Sequence, residues 1–466
     1  MNWIGCCVYL FFFLNYVIAD ERLSFHNKPN PLPGGAVTEN WPRFLGPHHD
    51  GTSKESKLLK SWPEKGPKVV WELKRGETYA APTIVDGRLF SFDLADGNER
   101  LECRDPETGK LKWQFKYPIE YRDRYGFANG PRASPVIDNG ILIIAGVTGQ
   151  IRAVEVMTGK PIWHQDLQKE YGYELGFFGY GPQPFVWKDL VMVNVGGSKN
   201  TKGKRVCVVA FDRKSGKEIW RYMDEWGASY SSPLVAKIRG KEVLLVLAGG
   251  ESRPAKGGLL VLDPTNGHLF QRFPWRADKF ESVNASVPVV IDESFVFLSE
   301  CYGKGGTLLK FDDKLNAVPV WNERLFGMHW MTPLVIKDHI YGFAGRNKPD
   351  VQFKCARIKD GEILWKDDMQ YQQNIQGRDL TLSFFRGSLL NCDGRVFALG
   401  EDGVFAELKI SPKGVKVVSK SQLFVAEQSW ALPVIHRGLL YICQHTKGFV
   451  DNTVPRLICY DFRGIE

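Results

Sequence analysis

The stretch DPETGKLKW, residues 105–113, follows the short run RLECR, turns at Gly109 and sets Trp113 four residues further on. As a local unit it reads as a hairpin. Asp105 caps the turn, Gly109 takes the left-handed backbone, and the tryptophan of the next strand has a large apolar face to bury. The spacing Asp-x-x-x-Gly-x-x-x-Trp returns at Asp212, Gly216 and Trp220. Glu155 heads a copy with Gly159 and Trp163, and Arg357 heads one with Gly361 and Trp365. Looser copies stand at Asp263/Gly267, Asp312/Asn316 and Asp461. Such a period decides the fold, because each copy is a small unit that buries its apolar face only against the next.

A second series interlocks with the first. A small residue precedes proline at Ala81-Pro82, Ser134-Pro135, Ser232-Pro233 and Thr332-Pro333; Pro184, Pro288 and Pro433 are variants, and Leu389 fills the remaining place. About four residues after each comes a polar pair suited to a tight turn, such as Asp86-Gly87, Asn139-Gly140 or Arg437-Gly438. The copy after Pro233 reads as needing a longer turn, over 237–241. Each unit therefore holds four short strands, with proline on an innermost strand whose edge is free. Radially arranged four-stranded units make an all-β propeller. The landmarks at 82, 135, 184, 233, 288, 333, 389 and 433 give eight blades; a seven-bladed ring would require one, Leu389 being the weakest, to be spurious. The last unit ends without its Trp strand, and PKVVWELK, residues 67–74 with Trp71, supplies it from upstream. The ring then closes by pairing its two ends.

Composition agrees with a large ordered core: 466 residues, 43% hydrophobic and 13% aromatic, with 47 glycines. The formal charge of +8, from 61 Lys and Arg against 53 Asp and Glu, is modest for the length and does not indicate a nucleic-acid partner. Residues 1–19 carry no charged side chain and end in Val17-Ile18-Ala19, which reads as a signal peptide cleaved near Ala19. The chain is then exported, to the periplasm or beyond the cell. An uncleaved membrane anchor is the alternative, since the segment lacks an N-terminal Lys or Arg. No other integral membrane segment is expected, and a monomer is. Residues 20–66 form a leader and 67–466 the propeller. Seven cysteines follow the signal; they sit in apolar strand-like runs and are expected to be mostly free and buried.

These features resemble the PQQ-like, quinoprotein-type, eight-bladed β-propellers, whose docking repeat reads roughly A-x-D-x-x-T-G-x-x-x-W. The resemblance covers residues 67–466, and the leader WPRFLGPHHDG, residues 41–51, looks like that of a secreted bacterial subgroup. It implies two functional classes, because the family includes quinoprotein dehydrogenases and a non-enzymatic outer-membrane assembly scaffold. The dehydrogenases use PQQ with calcium, beside an adjacent cysteine pair and a Glu/Asn/Asp set. Here the adjacent pair is Cys6-Cys7, inside the signal, and no residue-by-residue match to the calcium set emerges. No cofactor and no metal ligands are therefore assigned to the first reading; PQQ with calcium belongs to the alternative reading, an alcohol or sugar dehydrogenase. The first reading is a scaffold that binds a protein or a small anionic ligand.

Strand order assigns loops to faces. Connections into the first strand of a blade share one face with those between its second and third strands, and the tight turns share the other. The longest connections, KYPIEYRDRYGFANGPR, HQDLQKEYGYELGFFGYG and KDDMQYQQNIQGRDLTLSFFR, all read as irregular and fall on the first face, where binding is expected. Three residues before each proline landmark the chain enters the central funnel. These positions place Tyr79, Arg132, Tyr230, Trp330, Arg386 and Trp430 around the axis, with Gly181 and Ala285 completing the ring. Aromatics and arginines there can stack on and clamp a flat or anionic molecule, or plug the funnel. Asn284 and His329 lie beside the ring. On the same face Lys199, Lys202, Lys204 and Arg205 form a basic loop without an acidic neighbour between Gly196 and Arg205, suited to an anionic partner or simply solvated.

Overall fold

A computed structural model describes residues 20–197, 205–251 and 255–464. Eight antiparallel blades surround one axis. Blade one comprises Thr83–Val85, Arg88–Ala95, Asn98–Arg104 and Leu111–Pro118, from the axis outward. The next five blades repeat this order. Second strands such as Ile141–Ala145 and Leu190–Asn194 are buried on both faces, since neighbouring blades cover them, and so read as apolar runs; the outer strand of blade one alternates. In the eighth blade Val434–His436, Leu439–Gln444 and Arg456–Asp461 are completed by Lys68–Lys74, with Trp71 opposite Cys459. The ends of the chain thus close the ring as the repeat requires.

The repeat motif has a direct physical explanation in the blade interfaces. The indoles of Trp71, Trp113, Trp163, Trp220, Trp321 and Trp365 each donate to a backbone carbonyl of the following blade, at 2.7–3.1 Å. In five of the six the acceptor immediately follows the residue that heads the turn, as Val156 follows Glu155. The ring of each of those five lies on the glycine of that turn: a Cβ on Gly159, whose φ is +73°, would stand 2.5 Å from Trp113. Glycine is needed there for its backbone angle and for the indole above it. Trp321, nine residues after Asp312, plays the same part in a copy whose tryptophan the strict spacing had hidden.

Two expectations are corrected. The turn after Pro233 is as tight as the others, Arg239-Gly240 with φ of +49° and +77°, because the strands Leu234–Ile238 and Lys241–Ala248 are simply longer. The segment between blades six and seven is not irregular; it forms the hairpin Gln370–Ile375 and Arg378–Ser383, turning at Gln376-Gly377. A short helix, Leu167–Tyr171, capped by Asp166, likewise interrupts the loop into blade three.

The leader is an integral strap. Leu23–Phe25 adds a fifth, outer strand to blade eight. Trp41 exchanges backbone hydrogen bonds of 2.7 and 2.8 Å with Ile84 on the inner edge of blade one. Thr52–Ser53 pairs in parallel with Ser388–Cys392, so the blade lacking the proline landmark is one whose inner edge receives a strand. Glu55, fully buried, accepts the N–H groups of Glu39, Arg437 and Gly438 at 2.8–3.0 Å and fastens the strap to blade eight. The seven cysteines are free; six are buried and Cys301 is half-buried. Among the described residues no helix is long and apolar enough to cross a membrane. Residues 1–19, read from sequence as a signal peptide or an uncleaved anchor, lie outside the described residues.

Candidate functional site

The strap runs across the tight-turn end of the axis, and this position turns the channel into a cup. Phe44 and Leu45 line its closed end, and the wall rises to the long-loop face around a cavity of about 640 Å³. All eight ring positions, from Tyr79 to Trp430, line it. Most of the wall is apolar and aromatic. Tyr79 and Trp430 have ring centroids 4.8 Å apart, Trp430 and Trp330 4.5 Å, and Trp330 and His329 4.0 Å. Phe127, Phe178 and Tyr125 continue the aromatic belt to the rim, where Tyr125 is exposed.

The ring arginines are not free clamps. Arg132 donates to the carbonyls of Ala128, Gly130 and Phe178 and to Asp123, at 3.1 Å, and so holds the loop into blade two. Arg386 makes a bidentate pair with Glu401, both bonds 2.7 Å, while its guanidinium lies 4.5 Å from the ring centre of Trp330. Each cation is neutralised by a carboxylate whose side chain is at most 5% exposed. Arg346, which strand order alone does not single out, stands on the cup's lining over Tyr302 at 4.5 Å and has no ion-pair partner among the described residues. Asn284 does not line the cup: its side chain donates to Gly249 O at 2.8 Å and is buried beneath the wall.

Protonation follows from burial. The Tyr79 phenol is pushed up to about 12 by burial, and it donates to Gln428. His329 is held well below its ordinary range by burial and by Arg386 and Arg346. A neutral ring accepting from the Tyr302 hydroxyl at Nε2, 2.9 Å away, carries its hydrogen on Nδ1, which has no partner among the described residues. The indole N–H groups of Trp330 and Trp430 are also buried without partners. Of the basic loop only Arg205 is described; Lys199, Lys202 and Lys204 lie outside the described residues.

The donor set can be compared with the cofactor that the resemblance implies. Calcium takes six to eight oxygens. The cup is lined by arenes, with Glu281 as its carboxylate, and Glu401 is committed to Arg386. Among the described residues no three His, Cys, Asp or Glu side chains gather at metal-binding distance. The calcium half of the pair does not fit this lining.

The sequence profile of the family described as outer membrane protein assembly factor BamB matches residues 97–367. The chain is 26% identical over 189 residues to the quinohemoprotein alcohol dehydrogenase ADH-IIG of Pseudomonas putida, an alignment that takes in 40% of this chain and 24% of that protein. It is 24% identical over 149 residues to outer membrane protein assembly factor BamB of Xanthomonas campestris, covering 30% of this chain and 35% of the relative. The chain therefore spans about a quarter to a third of the length of these curated relatives. The crystal structure of quinohemoprotein alcohol dehydrogenase from Comamonas testosteroni superposes with a TM-score of 0.60 at 12% identity, over 92% of this chain and 81% of that one, which shows a common fold.

Proposed function

Because the chain belongs to the PQQ-repeat family described as outer membrane protein assembly factor BamB, we propose that it is a binding scaffold that receives its partner through the long-loop face. The observation that carries this reading is the cup: closed by the leader at one end, open at the other, and walled by aromatics beside which Arg132 and Arg386 are already paired. Such a lining recognises a protein segment or small ligand by burial and stacking, with Arg346 as the cation left to select an anionic group. Tyr79, Tyr230, Trp330 and Trp430 form the contact surface, with His329 packed against Trp330. Arg132, Arg386 and Asn284 hold the wall. The protein works as an exported monomer, with residues 1–19 as its signal.

The test is site-directed photo-crosslinking in the native host, from Tyr125 on the open rim and from Lys337 on the tight-turn face. Adducts from the first position alone are expected. Equal adducts from both, or adducts from Lys337 only, would place the docking face elsewhere.

Dehydrogenase chemistry is the second reading, favoured by the match to the Pseudomonas putida enzyme. Purified protein incubated with PQQ and calcium distinguishes the two: dye-linked oxidation of an alcohol or sugar would overturn the scaffold assignment. The arene lining, with Glu281 as its carboxylate, supports the opposite outcome.

A further inference from the structure

A second cavity, of about 340 Å³, opens on the long-loop face between blades two, three and four. Tyr230 and Phe177 line both spaces and form the partition between it and the cup. The two differ in chemistry. Gly176, Gly196, Gly227 and Gly250 bring bare backbone to the wall of the smaller one, and the charged residues stand between them.

Glu225 is committed twice, to Lys256 and to Arg272, the latter at 3.0 Å. Glu174 is exposed to solvent. Arg124, exposed on the lining, has no hydrogen-bond or ion-pair partner among the described residues. Arg205 reaches only the Gly196 carbonyl, at 3.5 Å, and its Nε is buried without a partner. The remaining carboxyl is Glu251. It accepts the Tyr230 hydroxyl and the Phe177 N–H, leaves Oε1 without a partner, and is raised by burial to about 7. A Cβ on Gly176 would come within 2.5 Å of the Tyr230 hydroxyl and 2.7 Å of Glu251 Oε2, so this glycine makes the Tyr230–Glu251 contact possible. Two guanidiniums without carboxylate partners among the described residues thus face a cavity whose buried carboxyl, Glu251, is readily neutralised and whose Glu174 is turned to solvent.

We propose that this cavity is an oxyanion site, separate from the cup, for a small organic molecule bearing a carboxylate or phosphate head group. Arg124 and Arg205 hold the head group, whose planar or tetrahedral oxygens match the guanidinium fork. Tyr173 and Phe177 cover the apolar remainder. Glu251 adds a pH dependence, because its ionised form repels the anion. Arg124, Arg205, Lys256, Glu174, Glu225, Tyr173 and Tyr230 line the cavity with it, and Arg276 acts on it from behind. Binding of an anion of constant charge tightens by up to about ten-fold between pH 8 and pH 6 as Glu251 takes its proton.

Isothermal titration calorimetry of the whole chain with sulfate, inorganic phosphate and succinate tests the site. Saturable binding is expected for at least one of them, weakened ten-fold or more in Arg124→Ala/Arg205→Ala, and independent of pH for sulfate in Glu251→Gln. Phosphate tighter than succinate assigns a phosphate ester, and the reverse a carboxylate. Arg124→Ala alone serves if the double variant misfolds, since Arg124 is exposed and unpaired. Absence of saturable binding below about 10 mM, or affinity unchanged in both arginine variants, overturns the proposal. Trp430→Ala leaves this binding intact, so failure here and failure of the scaffold reading are told apart.

Discussion

Blade two contains two glycines with nearly the same backbone angle and different surroundings. Gly140, at φ +77°, has nothing within 4 Å of the position a Cβ would take. Gly159, at φ +73°, would put that atom 2.5–2.9 Å from three carbons of Trp113. Alanine at either position costs about 1–2 kcal/mol for the left-handed backbone and recovers about 0.4–1 kcal/mol from the less flexible unfolded chain. These contributions cancel in the comparison. Gly159→Ala further displaces the indole, at about 1–3 kcal/mol for overpacking, and weakens its 3.1 Å hydrogen bond to Val156 O, worth about 1 kcal/mol. The difference between the variants is therefore about 2–4 kcal/mol. For 466 residues the unfolding entropy is about 1 kcal/mol per degree, so the gap in thermal midpoint is about 2–4 °C. Differential scanning calorimetry measures it, and in a Trp113→Ala background the gap should vanish. Equal midpoints for Gly140→Ala and Gly159→Ala in the parent chain would refute the claim that the repeated glycine exists to seat the preceding blade's tryptophan.

Other consequences concern the site and the strap. Arg386→Ala should destabilise by about 3 kcal/mol in urea unfolding, because it leaves Glu401 buried and unpaired, whereas Arg386→Met/Glu401→Leu should recover most of that loss; a small effect of the single change would return Arg386 to the role of a free clamp. Glu55→Ala strands three N–H groups, at a total of about 3 kcal/mol, and should speed proteolytic release of the leader; an unchanged cleavage rate would mean the strap is held elsewhere. Glu251, raised to about 7, contributes stability that is complete below the ordinary carboxyl range and is lost as pH rises through about 7. Glu251→Gln should accordingly gain on the parent between pH 5 and pH 8, by up to about 3 kcal/mol, in parallel melting curves. Thiol titration of denatured protein should find the seven cysteines after residue 19; native protein at pH 8 should react slowly even at Cys301, whose thiol is pushed up to about 12 by burial.

The fold was legible because its instructions are local. A turn needs residues tolerant of positive φ, an indole needs a glycine to lie on, and an inner strand tolerates proline, so each blade repeats them at nearly constant spacing. The strand carrying Trp71 could be paired with the last blade because one unit lacked an outer strand. The funnel ring was legible for the same reason: its residues hold a constant offset from the proline landmarks.

Roles within the ring were not legible. Arg132 and Arg386 look alike in sequence, and only folding shows that Asp123 and Glu401 consume their charge. Arg346, Glu251 and Arg124 belong to different blades and no common period, so their places in the two cavities emerge only when the ring is assembled. The leader shows the same limit. Residues 20–66 contain no repeat, and their work of sealing the channel rests on contacts with segments up to several hundred residues away, such as Glu55 with Gly438. Sequence by itself determined the number of blades, their strand order and the closure of the ring, since these depend on backbone angles and apolar periods written within a few residues. Tertiary structure decided which charges are paired, which end of the channel is closed and where a second cavity opens, because each depends on distances between segments that only the closed ring brings together.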